Sequence, residues 1–225
     1  MIYRDRIDAG KQLAARLTDY ADRDEVLVLA LPRGGVPVAY EVAKALSAPL
    51  DIFLVRKLGV PGHEELAMGA IATGGVRVLN DDVVDYLKIP GEVIDAVAAD
   101  ELRELERRER AYRGDRPEPD VRDKTIILVD DGLATGSTMR AAAAALRRQN
   151  PARIVVAVPV SAAQTCNEYR IGVDEIICAK TPEPFLGVGM WYSEFPQTTD
   201  EEVRELLAKA DTRTTELDNR ELVHI

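Results

Sequence analysis

The chain has 225 residues, 46% of them hydrophobic and 30% charged, with a formal net charge of -10. That length can bury a core without disulfides or metals, and that acidity weighs against nonspecific binding to DNA or RNA, which needs a basic surface. No apolar run approaches the roughly 20 residues that span a bilayer, and Met1–Leu13 lacks the apolar core of a signal peptide, so a cytoplasmic protein without membrane contact is expected.

In chain order, Asp8 to Tyr20 carries Leu13, Ala14 and Leu17 at helical spacing. VLVLAL, Val26 to Leu31, is a continuous apolar run of the kind buried on both faces of a parallel sheet. PRGG, Pro32 to Gly35, ends it, and VPVAYEVAKALSA reads as a helix with Val38, Val42 and Leu46 on one face. Leu50 to Lys57 reads as a second strand, followed by a Gly/Pro-rich loop from about Leu58 to Met68. AIATGGVRVL gives two extended pieces around a Gly-Gly turn. Ile89 to Tyr112 is one long charged helix, an insertion over 89–113, whose charges read as a solvated face with i,i+4 pairs.

Thr125 to Val129 is a strand that ends on Asp130 and Asp131, with a helix from about Ser137 to Arg148 behind it. RIVVAVPV is a strand, AAQTCNEYR a helix and VDEIICA a further strand. Cys166 and Cys178 have no CxxC partner and are expected to be plain thiols. Asp211 to Ile225 is polar and reads as a mobile tail. Strands alternating with helices imply an α/β fold, a parallel sheet flanked by helices, forming a single domain over 1–225 with its core at about 8–180. Such sheets bind ligands at the carboxyl ends of their strands. PRGG and DDGLATGST both sit at such ends.

A loop of small residues entering a helix offers backbone N–H groups and a positive dipole end to a phosphate. Thr135, Ser137 and Thr138 add hydroxyl donors. The loop has neither GxxxxGK[ST] nor GxGxxG. Asp130 and Asp131 suit vicinal hydroxyls, a hydrated Mg²⁺, or both, and a ribose 5-phosphate presents hydroxyls and phosphate on one molecule. On the residues alone, a helix N-cap beside a strand-end Asp accounts for the pattern equally well.

The stretch TIILVDDGLATGSTM resembles the phosphoribosyl pyrophosphate (PRPP) signature of the type I phosphoribosyltransferases, and the likeness runs over roughly Val26 to Tyr192. The resemblance implies that Asp130 and Asp131 hold the ribose hydroxyls and help position Mg²⁺, indirectly or directly. It implies that Ala134, Thr135, Gly136, Ser137 and Thr138 anchor the 5-phosphate. PRGG is similar to the family's pyrophosphate loop, giving that role to Arg33, Gly34 and Gly35, with Arg33-Gly34 as the candidate cis peptide. VRK resembles the basic strand end before a mobile catalytic loop, so Arg56 and Lys57 would neutralise pyrophosphate, and His63 is a loop candidate. Gly132 stands where an apolar residue is usual.

A small C-terminal hood, about 181–210, resembles that of the 6-oxopurine enzymes. It gives Phe185 as the stacking candidate, with Trp191 and Tyr192 lining the base pocket. Ala134 stands where those enzymes place an acidic general base, and LATGSTM is closer to the adenine enzymes, so the motifs on the base are mixed. The family resemblance implies a transferase of nucleotide salvage, with PRPP, pyrophosphate and a nucleobase, a purine by hood likeness, as ligands, Mg²⁺ as cofactor and a homodimer as its common assembly. The alternative is a non-catalytic PRPP sensor.

Overall fold

The computed structural model describes residues 2–168 and 172–222. Its elements follow the chain as α1 (Arg6–Ala14), β1 (Val26–Ala30), α2 (Gly35–Leu46), β2 (Leu50–Ile52), β3 (Val55–Val60), β4 (His63–Ala72) and β5 (Val76–Leu79). Then come α3 (Asp81–Leu87), α4 (Gly91–Arg113), β6 (Thr125–Val129), α5 (Ser137–Arg147), β7 (Arg153–Val160), α6 (Ala163–Glu168), β8 (Glu175–Lys180) and α7 (Asp200–Leu222).

The main sheet has the order β2-β1-β6-β7-β8, and every pairing in it is parallel. Its central strands are buried along their whole length, as their apolar runs require. Alternate residues serve opposite faces. Val26, Val28, Ala30, Ile127 and Val129 meet Leu13, Val38, Val42 and Leu46 of α1 and α2 and Val203 and Leu207 of α7. Leu27, Leu29, Ile126 and Leu128 face the other way, toward Met139, Ala142 and Leu146 of α5. From β1 the chain moves outward to β2, then returns to β6 on β1's other side. The loops after β1 and β6 therefore diverge at the sheet's topological switch point, where α/β folds bind ligands.

The segment after β2 departs from the single strand expected over Leu50 to Lys57. β2 ends at Ile52, and β3 begins a separate antiparallel sheet of order β3-β4-β5. The expected mobile loop from Leu58 to Met68 is a hairpin of that sheet, with Leu58 opposite Gly69 and Val60 opposite His63. Hydrophobic residues at Leu58, Met68 and Ile71 are buried in the core and hold it there. The long charged helix is present as α4, close to its expected bounds, and α3 precedes it as a short helix that the reading lacked. Ile94, Ala98, Leu105 and Tyr112 seat α4 on the core.

Three further expectations change. The first helix stops at Ala14, and a short 3-10 turn covers Thr18–Tyr20. Cys166 and Cys178 form a disulfide between α6 and β8 instead of remaining thiols; α6 is the crossover from β7 to β8 and places Cys166 beside the strand it leads into, which spacing alone could not show. The expected tail is the second half of α7, which continues to Leu222, while Val203, Leu207 and Ala210 make its first half part of the core and not of a hood. Residues 169–170 of the predicted AAQTCNEYR helix and 223–225 of the predicted tail lie outside the described residues.

Arg113, at the end of α4, is 4% exposed and pairs with Asp51 of β2 at 3.2 Å. Its guanidinium also donates to the Ile52 carbonyl. Burial pushes the Asp51 carboxyl up, and the Arg113 guanidinium opposes that. Removing one partner of such a pair leaves a charge without water or counterion. Arg113→Met should lower unfolding free energy by about 3–5 kcal/mol in urea titrations; a loss below about 1 kcal/mol would show that the pair does not join α4 to the sheet.

Candidate active site

The site is built from the two loops at the switch point. β6 delivers Asp130 and Asp131 at its carboxyl end, and α2 begins at Gly35 directly beside them. A Cβ on Gly34 would lie 2.1 Å from Asp131 Oδ2, and one on Gly35 would lie 2.8 Å from the Val129 carbonyl oxygen. Only glycine lets the two loops touch there. The cis peptide of this loop is Pro32-Arg33, one residue before the expected Arg33-Gly34.

The acidic pair is set into the protein. The Asp130 carboxylate accepts from the Asp131 backbone N–H at 2.8 Å. Burial, and then the neighbouring Asp131 charge, push Asp130 well above the usual carboxylate range. Burial also raises Asp131, and the Arg6 guanidinium opposes the rise. Arg6 is the residue that sequence reasoning missed. It donates from Nε to Asp131 Oδ2 at 2.9 Å and pairs from Nη2 at 2.8 Å. An arginine five residues from the start carries no motif, so only the tertiary structure could find it.

Gly136, at φ 71°, turns the chain into α5, a backbone form that suits glycine. Ala134, Thr135, Ser137 and Thr138 are arranged around it, and all four are exposed. Thr165 of α6 donates to the Ala134 carbonyl at 3.0 Å, and Arg140 donates to the Thr135 carbonyl. Lys57 lines a cavity of about 150 Å³ with Ser137 and Thr138, while its ammonium donates to the Glu65 carbonyl at 3.3 Å and lies 3.8 Å from the Glu65 carboxylate. Arg56 is different: it turns to α4 and pairs with Glu101 at 2.6 Å. The two adjacent cations alternate across the strand, which a reading of VRK as one basic cluster overlooks. Arg56, Lys57, Glu64 and Glu101 line a larger cavity of about 510 Å³ on that side. His63 is exposed beside the hairpin turn and lines neither cavity. Arg33 reaches Asp200 of α7 at 3.5 Å, and Tyr112 donates to the same carboxylate at 2.7 Å.

Of the three aromatic residues expected to line a base pocket, Tyr192 is buried, while Phe185 and Trp191 are partly buried. Tyr192 is buried between Tyr3 and Phe195, at ring-centroid distances of 5.5 and 4.8 Å. Its hydroxyl donates to the Asp131 carbonyl at 2.6 Å. Phe185 and Trp191 pack against the cluster of Tyr3, Ala9, Val160 and Tyr192. Gly132 acquires a purpose here: a Cβ on it would lie 2.6 Å from Val188 Cγ1. The missing side chain is the space the hood occupies.

No group of three or more His, Cys, Asp or Glu residues among the described residues could hold a metal ion. The two hard carboxylates suit a Mg²⁺ whose shell is completed by substrate oxygens and water.

A parallel sheet with a small-residue loop and an acidic pair at its switch point is an arrangement that α/β folds use for phosphorylated ligands. A model of the phosphoribosyl transferase domain matches residues 1–189, and the chain belongs to that family. Two curated proteins of Mycobacterium tuberculosis, from strains CDC 1551 and H37Rv and each named "Putative phosphoribosyl transferase", are 46% identical to it over 209 residues. The match covers 93% of this chain and 47% of either relative, so the chain spans about half their length. The crystal structure of TT1426 from Thermus thermophilus superposes with a TM-score of 0.83 at 38% identity, covering 93% of this chain and 99% of that one.

The fit of Val188 over Gly132 can be tested directly. Gly132→Ala should cost about 1–3 kcal/mol by overpacking, and adding Val188→Ala should return most of that loss in a double-mutant cycle. Independent, additive losses would mean that the hood does not rest on this glycine.

Proposed function

We propose that this chain transfers ribose 5-phosphate from Mg-PRPP to a nitrogenous base, releasing pyrophosphate. The observation that carries this reading is the direct contact of the PRGG loop with the acidic pair, Gly34 against Asp131. It brings the candidate leaving-group and sugar sites side by side at the switch point. Lys57 in one cavity with Ser137 and Thr138 supports it.

In this reading a base nitrogen forms a bond to the ribosyl C1 as the bond from C1 to pyrophosphate oxygen breaks, through an oxocarbenium-like transition state. Asp130 and Asp131 orient the ribose hydroxyls. Residues Ala134 to Thr138 hold the 5-phosphate. Arg33 and Lys57 bring positive charge to the departing pyrophosphate, and Arg56 joins them on exchanging Glu101 for it. Asp130 and Asp131 would help hold a Mg²⁺ that arrives with PRPP, and that ion would supply further neutralisation of the leaving group. Most of the rate comes from positioning and electrostatic stabilisation. The hood sequence favours a purine acceptor, while Ala134 in place of an acidic residue leaves the acceptor's proton to water or to the departing pyrophosphate.

A second reading, a PRPP sensor without turnover, is favoured by one observation: the hood rings are already packed on other protein groups. Pyrophosphate release from Mg-PRPP, with each common purine and pyrimidine added separately, separates the two. Base-dependent release is expected, and Asp131→Asn should cut it on the order of 100-fold with far-UV circular dichroism unchanged. Equal turnover in that variant would remove Asp131 from the mechanism. Thermal stabilisation by PRPP with no release would establish the sensor.

A further inference from the structure

The N-terminal arm and the hood form one unit. Tyr3 donates its backbone N–H to the Trp191 carbonyl, Ser193 donates to the Tyr3 carbonyl, and Glu194 donates to the Arg4 carbonyl, each at 2.8 Å. Asp5 then caps α1 by accepting from the Asp8 N–H at 2.7 Å, which fixes the first turn that carries Arg6.

Arg6 joins this unit to the acidic pair. Its side chain is 11% exposed. Nε and Nη2 both address Asp131 Oδ2, while Nη1 donates to the Pro196 carbonyl at 2.6 Å. The guanidinium carbon lies 3.8 Å from the centroid of the Phe195 ring. One planar fork thus meets a carboxylate, a backbone carbonyl and an aromatic face at once. Lysine, a point charge with no plane, cannot do this. Tyr192 holds the same hood segment to the Asp131 carbonyl, so Asp131 is gripped at both its backbone and its side chain.

We propose that Arg6 is a positioning residue that seats the hood on the acidic pair and thereby sets where the acceptor meets the sugar. The residue lies outside every motif of the PRPP signature, and its role for the acceptor rests on the transferase reading above. The structural part does not.

The test uses the full chain and its single tryptophan, Trp191, which lies in the segment that Arg6 holds. Arg6→Ala and Arg6→Lys are compared with wild type, with and without millimolar methylguanidinium, after circular dichroism has confirmed folding. Arg6→Ala should shift Trp191 emission to the red and raise its quenching by acrylamide. Methylguanidinium should restore both, and Arg6→Lys should resemble Arg6→Ala. In turnover, the acceptor KM should rise at least about tenfold, as for a lost charge-assisted hydrogen bond, with the PRPP KM changing less. Wild-type emission and quenching in Arg6→Ala, full replacement by lysine, or no response to methylguanidinium would overturn the proposal. If Arg6→Ala does not fold, Arg6→Lys alone decides by the same optical criteria. Absence of turnover in wild type with any base would count against the transferase reading and its acceptor clause, while the fluorescence result would still decide whether Arg6 seats the hood.

Discussion

The architecture around the site depends on one close approach, that of the PRGG backbone to the Asp131 carboxylate. Two loops from strands that are neighbours in space but far apart in sequence meet without an intervening side chain. A buried carboxylate tolerates that enclosure only if its charge is answered. Arg6 answers it, and the need to bring an arginine there links the first helix to the sheet's carboxyl edge. The hood follows, because Phe195 and Pro196 lie against the same guanidinium. Gly34, Gly132 and Arg6 are therefore parts of one packing problem, although they lie in three different segments.

Much of the main sheet was legible because its signals are local. Val26 to Leu31 and Thr125 to Val129 are short apolar runs with no polar interruption, and they are the central strands β1 and β6. The position of the loop Ala134 to Thr138 was legible because a glycine among small hydroxyl residues marks a turn into a helix, here α5 from Ser137. The hairpin was misread as a loop because glycine and proline are concentrated in Leu58 to Met68. Its pairing is decided instead by Leu58, Met68 and Ile71, which are buried against distant elements. Tertiary packing overrode the local signal.

The candidate base pocket illustrates the same limit at the site. Phe185, Trp191 and Tyr192 sit in a segment with the right sequence character, yet an aromatic ring carries no indication of which way it faces. Here Tyr192 stacks between Tyr3 and Phe195, because the N-terminal arm lies under the hood, and Phe185 and Trp191 pack against that cluster while staying partly exposed. Arg56 and Lys57 show how a strand divides neighbours: adjacent residues of like charge found different partners, Arg56 the Glu101 carboxylate of α4 and Lys57 Glu65 across the hairpin. The disulfide between Cys166 and Cys178 was equally hidden, since only the crossover between β7 and β8 brings its ends together.

The hairpin has a mechanical consequence. Where β3 leaves the main sheet, Leu54 and Thr73 are joined twice, by the Leu54 N–H to Thr73 Oγ1 and by the Thr73 N–H to the Leu54 carbonyl, both at 2.9 Å. Beyond that joint the backbone is paired from Val55 to Val60, so it cannot drape over a ligand as slack chain would. Any displacement of it would be that of a paired arm hinged at Leu54 and Thr73, with Lys57 carried along. Such a swing must also free Leu58 and Met68 from the core and Arg56 from Glu101, so stiffening the turn at Pro61 and Gly62 leaves the holds that govern it untouched.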